Sequence, residues 1–68
     1  MERPVAEEIV RWLMQLSASL NELTLLSDKL PTVEESQNLR RKLGSMMIEV
    51  DDILRSVIKQ YPDLDPDV

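Results

Sequence analysis

Leu30-Pro31-Thr32-Val33-Glu34-Glu35 is the stretch that decides how this chain folds. Proline fixes its own φ and pushes the residue before it out of the α region. A helix arriving from the N-terminal side must therefore end near Lys29 or Leu30. Thr32 with Glu35 three positions later reads as a capping box, in which the hydroxyl and the carboxylate satisfy the free N–H groups that open a new helix. One helix stops and the next starts within a connection too short for anything but an antiparallel return.

The rest of the chain fits that punctuation. Upstream, Pro4 suits the first turn of a helix, where its missing N–H is not needed. Glu7 and Glu8 are expected in the same turn, favourably placed for the helix dipole. The first helix is predicted over about 4–30. The second is predicted over about 33–61, stopped by Pro62. A hairpin domain thus spans 1–61, and 62–68 is expected to be an acidic flexible tail.

Periodicity sets the two helices side by side. Ala6, Ile9, Leu13, Leu16, Leu20, Leu23, Ser27 and Leu30 alternate spacings of three and four, and so do Ser36, Leu39, Leu43, Met46, Val50, Ile53 and Val57. Such seams mark helices packed along their length. Folding at Pro31 pairs Leu23 with Leu39, Leu20 with Leu43, Leu16 with Met46, Leu13 with Val50, Ile9 with Ile53 and Ala6 with Val57. The polar Ser27 and Ser36 fall together as well. The expected fold is all-α, an antiparallel helical hairpin with those pairs as its core.

A hairpin of 68 residues and 7.9 kDa is too small to close a core of its own. Apolar residues make up 43% of the chain, and cysteine and histidine are absent. Their absence excludes disulfide staples, thiol nucleophiles, Cys/His zinc sites and every His-based triad. Association is the remaining way to add core, and a homodimeric four-helix bundle is the simplest form, with a heteromeric partner competing. Off the seam, Val5, Trp12 and Leu26 flank the first helix, while Met47, Leu54 and Tyr61 flank the second; these six are the expected dimer or partner interface. Val10, Met14, Leu25, Ile48 and Ile58 lie elsewhere on the helices. In an antiparallel pair the two flanks lie on opposite sides of the hairpin. Two readings stay open: a dimer on one face with a partner on the other, or a rotation of the helices within one bundle.

Few residues suggest chemistry. Trp12 and Tyr61 are the only aromatics, and Trp12 is either dimer core or a binding anchor. Met46 and Met47 read as core filler or as an adaptable groove. Gly44 costs about 1 kcal/mol against alanine inside a helix. Close packing or a notch beside Ser17, Ala18 and Ser19 would justify it. Arg40-Arg41-Lys42 is the one basic run, and Glu22 is expected near Arg40. Asp63, Asp65 and Asp67 have the spacing that opens a calcium loop, but the glycine and glutamate of that loop are missing. Asp51 and Asp52 point about 100° apart on a helix, so they form no catalytic dyad. Asp51 with Arg55 and Glu7 with Arg11 have the spacing of helix-surface ion pairs. No catalytic residue, cofactor, metal or small-molecule substrate is expected.

A net charge of −5 argues against a nucleic-acid footprint. It favours a non-enzymatic acidic module that binds and regulates or neutralises a partner protein, as an immunity protein or antitoxin does. A secretion-type chaperone or an assembly subunit is the alternative. In topology and size the hairpin resembles the plasmid RNA-binding protein Rop; without a shared residue pattern that resemblance carries no function over, and a Rop-like RNA-binding regulator ranks behind the protein-binding readings. No apolar run reaches the length of a membrane span and no signal peptide opens the chain, so the expected location is the cytoplasm. Met1 ahead of a well-punctuated fold is read as the start of a complete chain.

Overall fold

A computed structural model describes residues 1–66. Two long helices, α1 (Arg3–Ser27) and α2 (Val33–Gln60), run antiparallel, and a 3₁₀ turn follows at Pro62–Leu64. There is no strand among the described residues. The hairpin measures 45 × 19 × 15 Å.

Each helix end has a local cause. Pro4 sits in the first turn of α1, as its fixed φ allows. The helix opens at Arg3, so Glu7 and Glu8 fall in its second turn and not, as expected, in the first. At its other end α1 stops at Ser27, short of Lys29 and Leu30. The N–H groups of Asp28, Lys29 and Leu30 bond three residues back, to Leu25, Leu26 and Ser27, at 3.0–3.3 Å. That tightening winds the chain out of the α-helix before Pro31 can clash with it. The Thr32 hydroxyl accepts from the Glu35 N–H at 3.1 Å and caps α2. Replacing Thr32 with alanine is expected to cost about 1 kcal/mol, read as a lower urea midpoint with an unchanged slope; an unchanged midpoint would show that the cap is dispensable.

The hairpin closes on a strict heptad. Ala6, Leu13, Leu20 and Ser27 are buried on α1, and Leu43, Val50 and Val57 on α2. Leu13, Leu20, Leu43 and Val50 form the central cluster, with Ile9, Leu39, Met47 and Leu54 packed against it. Buried Ser27 is satisfied locally: its hydroxyl donates to the Thr24 carbonyl at 2.6 Å and accepts from Arg40 Nε at 3.1 Å.

Around that heptad the second helix is rotated from its expected setting. Leu16, Leu23, Met46 and Ile53, all expected in the hairpin core, are 43–49% exposed. Met47 and Leu54, expected on an outer flank, pack half-buried against the central cluster instead, and Tyr61 is half-buried at the open end of the hairpin. Side-chain size explains the exchange. The α1 positions four residues beyond each buried one are Val10, Ser17 and Thr24, which are small and half-buried. Large Met47 and Leu54 can settle over small neighbours, whereas Leu16 against Met46 and Leu23 against Leu39 would set large on large.

The start of the expected acidic tail lies against the N-terminus of α1. Residues 62–64 form the 3₁₀ turn, and Arg3 grips Asp63 in an ion pair, with its guanidinium 5.8 Å from the Tyr61 ring centre. The Tyr61 hydroxyl donates to the Met1 carbonyl. Positions 67 and 68 of that expected tail lie outside the described residues. The hydrogen bond from Arg3 holds the Asp63 carboxyl below the usual carboxylate range, opposed in part by desolvation. A carboxyl with a depressed folded value stabilises the docked turn above its unfolded pKa and loses that effect as pH falls through the folded one. The turn should therefore release only below about pH 4, seen as coupled shifts of the Asp63 and Tyr61 NMR signals. Asp63→Asn should abolish the acid step; release between pH 5 and 7 would contradict the pairing.

Candidate interaction face

Helical geometry shows where the displaced residues went. On antiparallel helices, positions three beyond each buried residue share one side of the hairpin, and positions four beyond share the other. The first side carries Ile9, Leu16 and Leu23 from α1 and Leu39, Met46 and Ile53 from α2. Val5, Trp12 and Leu26 extend it outward along α1, 50–58% exposed. Across the helix pair, the corresponding outer positions of α2 are Glu35, Lys42, Glu49 and Ser56, all exposed. One broad apolar face results, greasy at the α1 edge and charged at the α2 edge.

The six expected interface residues thus divide. Val5, Trp12 and Leu26 lie on this face, while Met47 and Leu54 pack half-buried against the central cluster from the other side and Tyr61 sits at the open end beside Met1 and Arg3. Trp12 is more than half exposed, with the Arg11 guanidinium 4.8 Å from its ring centre.

The opposite side offers a shallow depression lined by Ser17, Gly44, Met47, Ile48, Val50, Asp51 and Leu54. Of the small trio, Ser17 alone lines it. Gly44 has normal helical φ, and a Cβ built on it meets no atom within 4 Å. Neither backbone strain nor close packing inside the chain requires glycine there. Gly44→Ala should raise stability by about 1 kcal/mol and move the urea midpoint up; a fall would show that something outside the hairpin fills the notch.

Charges lie mostly in local pairs. Arg55 meets Asp51 at 2.7 Å, as the spacing predicted. Arg11 pairs with Glu8 and Arg3 with Glu7, so the expected Glu7–Arg11 pair is replaced by two neighbouring ones. Arg40 reaches Asp28 and Ser27 at the turn, not the expected Glu22. Arg41 bonds Asn38 at 2.7 Å. The basic run is therefore split, one guanidinium being spent on the turn. Among the described residues no group of three acidic side chains is placed to hold a metal ion, and no helix is long and apolar enough to cross a membrane. No protein family, curated protein or solved structure matches this chain.

Proposed function

We propose that the chain is a non-enzymatic protein-interaction module, acting through the Trp12–Leu16–Met46–Ile53 face and dimerising there into a four-helix bundle. The observation that carries this reading is the run of exposed apolar side chains along one side of the hairpin, Leu16, Leu23, Met46 and Ile53 flanked by Val5, Trp12 and Leu26. Scattered exposed leucines need no explanation, but a continuous stripe along a hairpin does. Surface area agrees. The chain exposes 5219 Å², against about 4,400 Å² for a compact monomer of its mass. The excess of about 800 Å² is what one partner buries in an ordinary protein interface.

With that face covered, the exterior that remains is acidic and suited to a basic partner. Such a surface speeds capture by electrostatic steering, as an immunity-type or antitoxin-type inhibitor requires. The cytoplasm is the proposed location. Escort or assembly of another subunit is the second reading, favoured if the greasy face itself takes the client. Salt separates the two, because steering fades with ionic strength and apolar burial does not.

Trp12 reports on the face directly. Its emission should be blue-shifted at tens of micromolar and move to the red on dilution, as the face uncovers. A red, concentration-independent emission from a folded chain would refute self-association and leave the bare face for another protein.

A further inference from the structure

The charged edge of the face suggests how two copies meet. Two hairpins can stack face to face in two symmetric ways, both with antiparallel neighbours. Either α1 lies on the partner's α2, or α1 lies on the partner's α1 and α2 on its α2. In the first way, the α1 edge of Val5, Trp12, Ser19 and Leu26 would rest on Ser56, Glu49, Lys42 and Glu35 in turn. In the second, greasy edge meets greasy edge and charged edge meets charged edge.

Resting on the self-association reading, we infer that the second arrangement is the one this chain adopts, with a two-fold axis crossing the hairpin at the level of Leu16 and Met46. In the hairpin register Leu16 is level with Met47, one residue or about 1.5 Å from Met46, so a single perpendicular axis serves both helices. Ile9 then meets Leu23 of the second copy, Leu39 meets Ile53, and Leu16 and Met46 each meet themselves. The α2 edge is self-complementary under the same axis. Lys42 comes within about one residue of the level of Glu49 in the other copy, and symmetry makes that pair twice. The first arrangement sets Glu49 against Trp12 and Glu35 against Leu26 and gives Lys42 only Ser19, so no ion pair closes that edge.

Disulfide trapping reads the arrangement, since the chain has no cysteine of its own and disulfides demand close Cα atoms. Leu16→Cys alone, and Met46→Cys alone, should each oxidise to a covalent dimer much faster than Ile48→Cys on the opposite side. Cross-linking only when Leu16→Cys and Met46→Cys are mixed would overturn the arrangement, because it places α1 on α2. So would single-variant rates no faster than that of Ile48→Cys. Charge exchange gives a second readout: Lys42→Glu should weaken the dimer about fivefold, and adding Glu49→Lys should restore it. A double variant weaker than either single one contradicts the pairing. A wild-type chain that stays monomeric fails the self-association reading itself, a result distinct from all of these.

Discussion

Leu20→Ala is expected to unfold the chain at micromolar concentration. Leu20 is 2% exposed at the centre of the hairpin, beside Leu13, Leu43 and Val50. Removing a buried leucine side chain costs about 2–5 kcal/mol, through lost transfer energy and the cavity left behind. A core of this size rarely supplies more than about 3–5 kcal/mol in all. Alanine is the better helix former, so helix propensity works against the expected loss and cannot produce it. Leu25→Ala is the control: Leu25 is 63% exposed, and its truncation should shift stability by no more than about 0.5 kcal/mol. Far-UV circular dichroism through a urea titration checks both. Equal midpoints for the two variants would contradict the placement of the core.

The second large effect is on association. Leu16 is 43% exposed in the single hairpin, so Leu16→Glu should cost the isolated hairpin little. At a self-association interface it places an unpaired carboxylate on each side of the axis, facing its own copy. A charge left unpaired on burial costs several kcal/mol, and each 1.4 kcal/mol is tenfold in affinity. The dimer should weaken by at least about a hundredfold. The thermal midpoint should fall with it and become independent of concentration, because subunit association stabilises the folded state by mass action. Ile48→Glu, on the opposite side and 64% exposed, should leave the association constant within a factor of two or three. Sedimentation equilibrium of the two variants makes the comparison. A Leu16→Glu chain that associates as tightly as Ile48→Glu would place the interface elsewhere.

Local chemistry made most of the fold legible in the sequence. Pro31 and the Thr32–Glu35 cap mark the turn, and the heptad through Leu13, Leu20, Leu43 and Val50 sets the antiparallel register. The rotation of α2 about that heptad was harder to read. Its sequence is apolar both three residues beyond each buried position, at Met46 and Ile53, and four beyond, at Met47, Leu54 and Tyr61. Periodicity along one helix cannot choose between two apolar flanks. The choice lay in the facing helix, where Val10, Ser17 and Thr24 leave room that Leu16 and Leu23 do not. Reading the small residues of α1 against the large ones of α2 would have found the face.

The ends of the chain were illegible for a different reason. Docking of the Pro62–Leu64 turn depends on Arg3 and Met1 meeting Asp63 and Tyr61 across the open end of the hairpin. Those residues are sixty positions apart in sequence, and no local signal links them. Arg40 shows the same limit at the turn, where Asp28 lies closer in space than Glu22 although both are acidic and near in register.

Solution mass by light scattering, over a dilution series at low and high salt, tests most directly whether a second copy closes the hairpin's open face. A mass near 16 kDa, twice the 7.9 kDa of the chain, is expected at both salt concentrations, because apolar burial dominates and the edge ion pairs add little. A folded species that stays near 8 kDa at every concentration would contradict it.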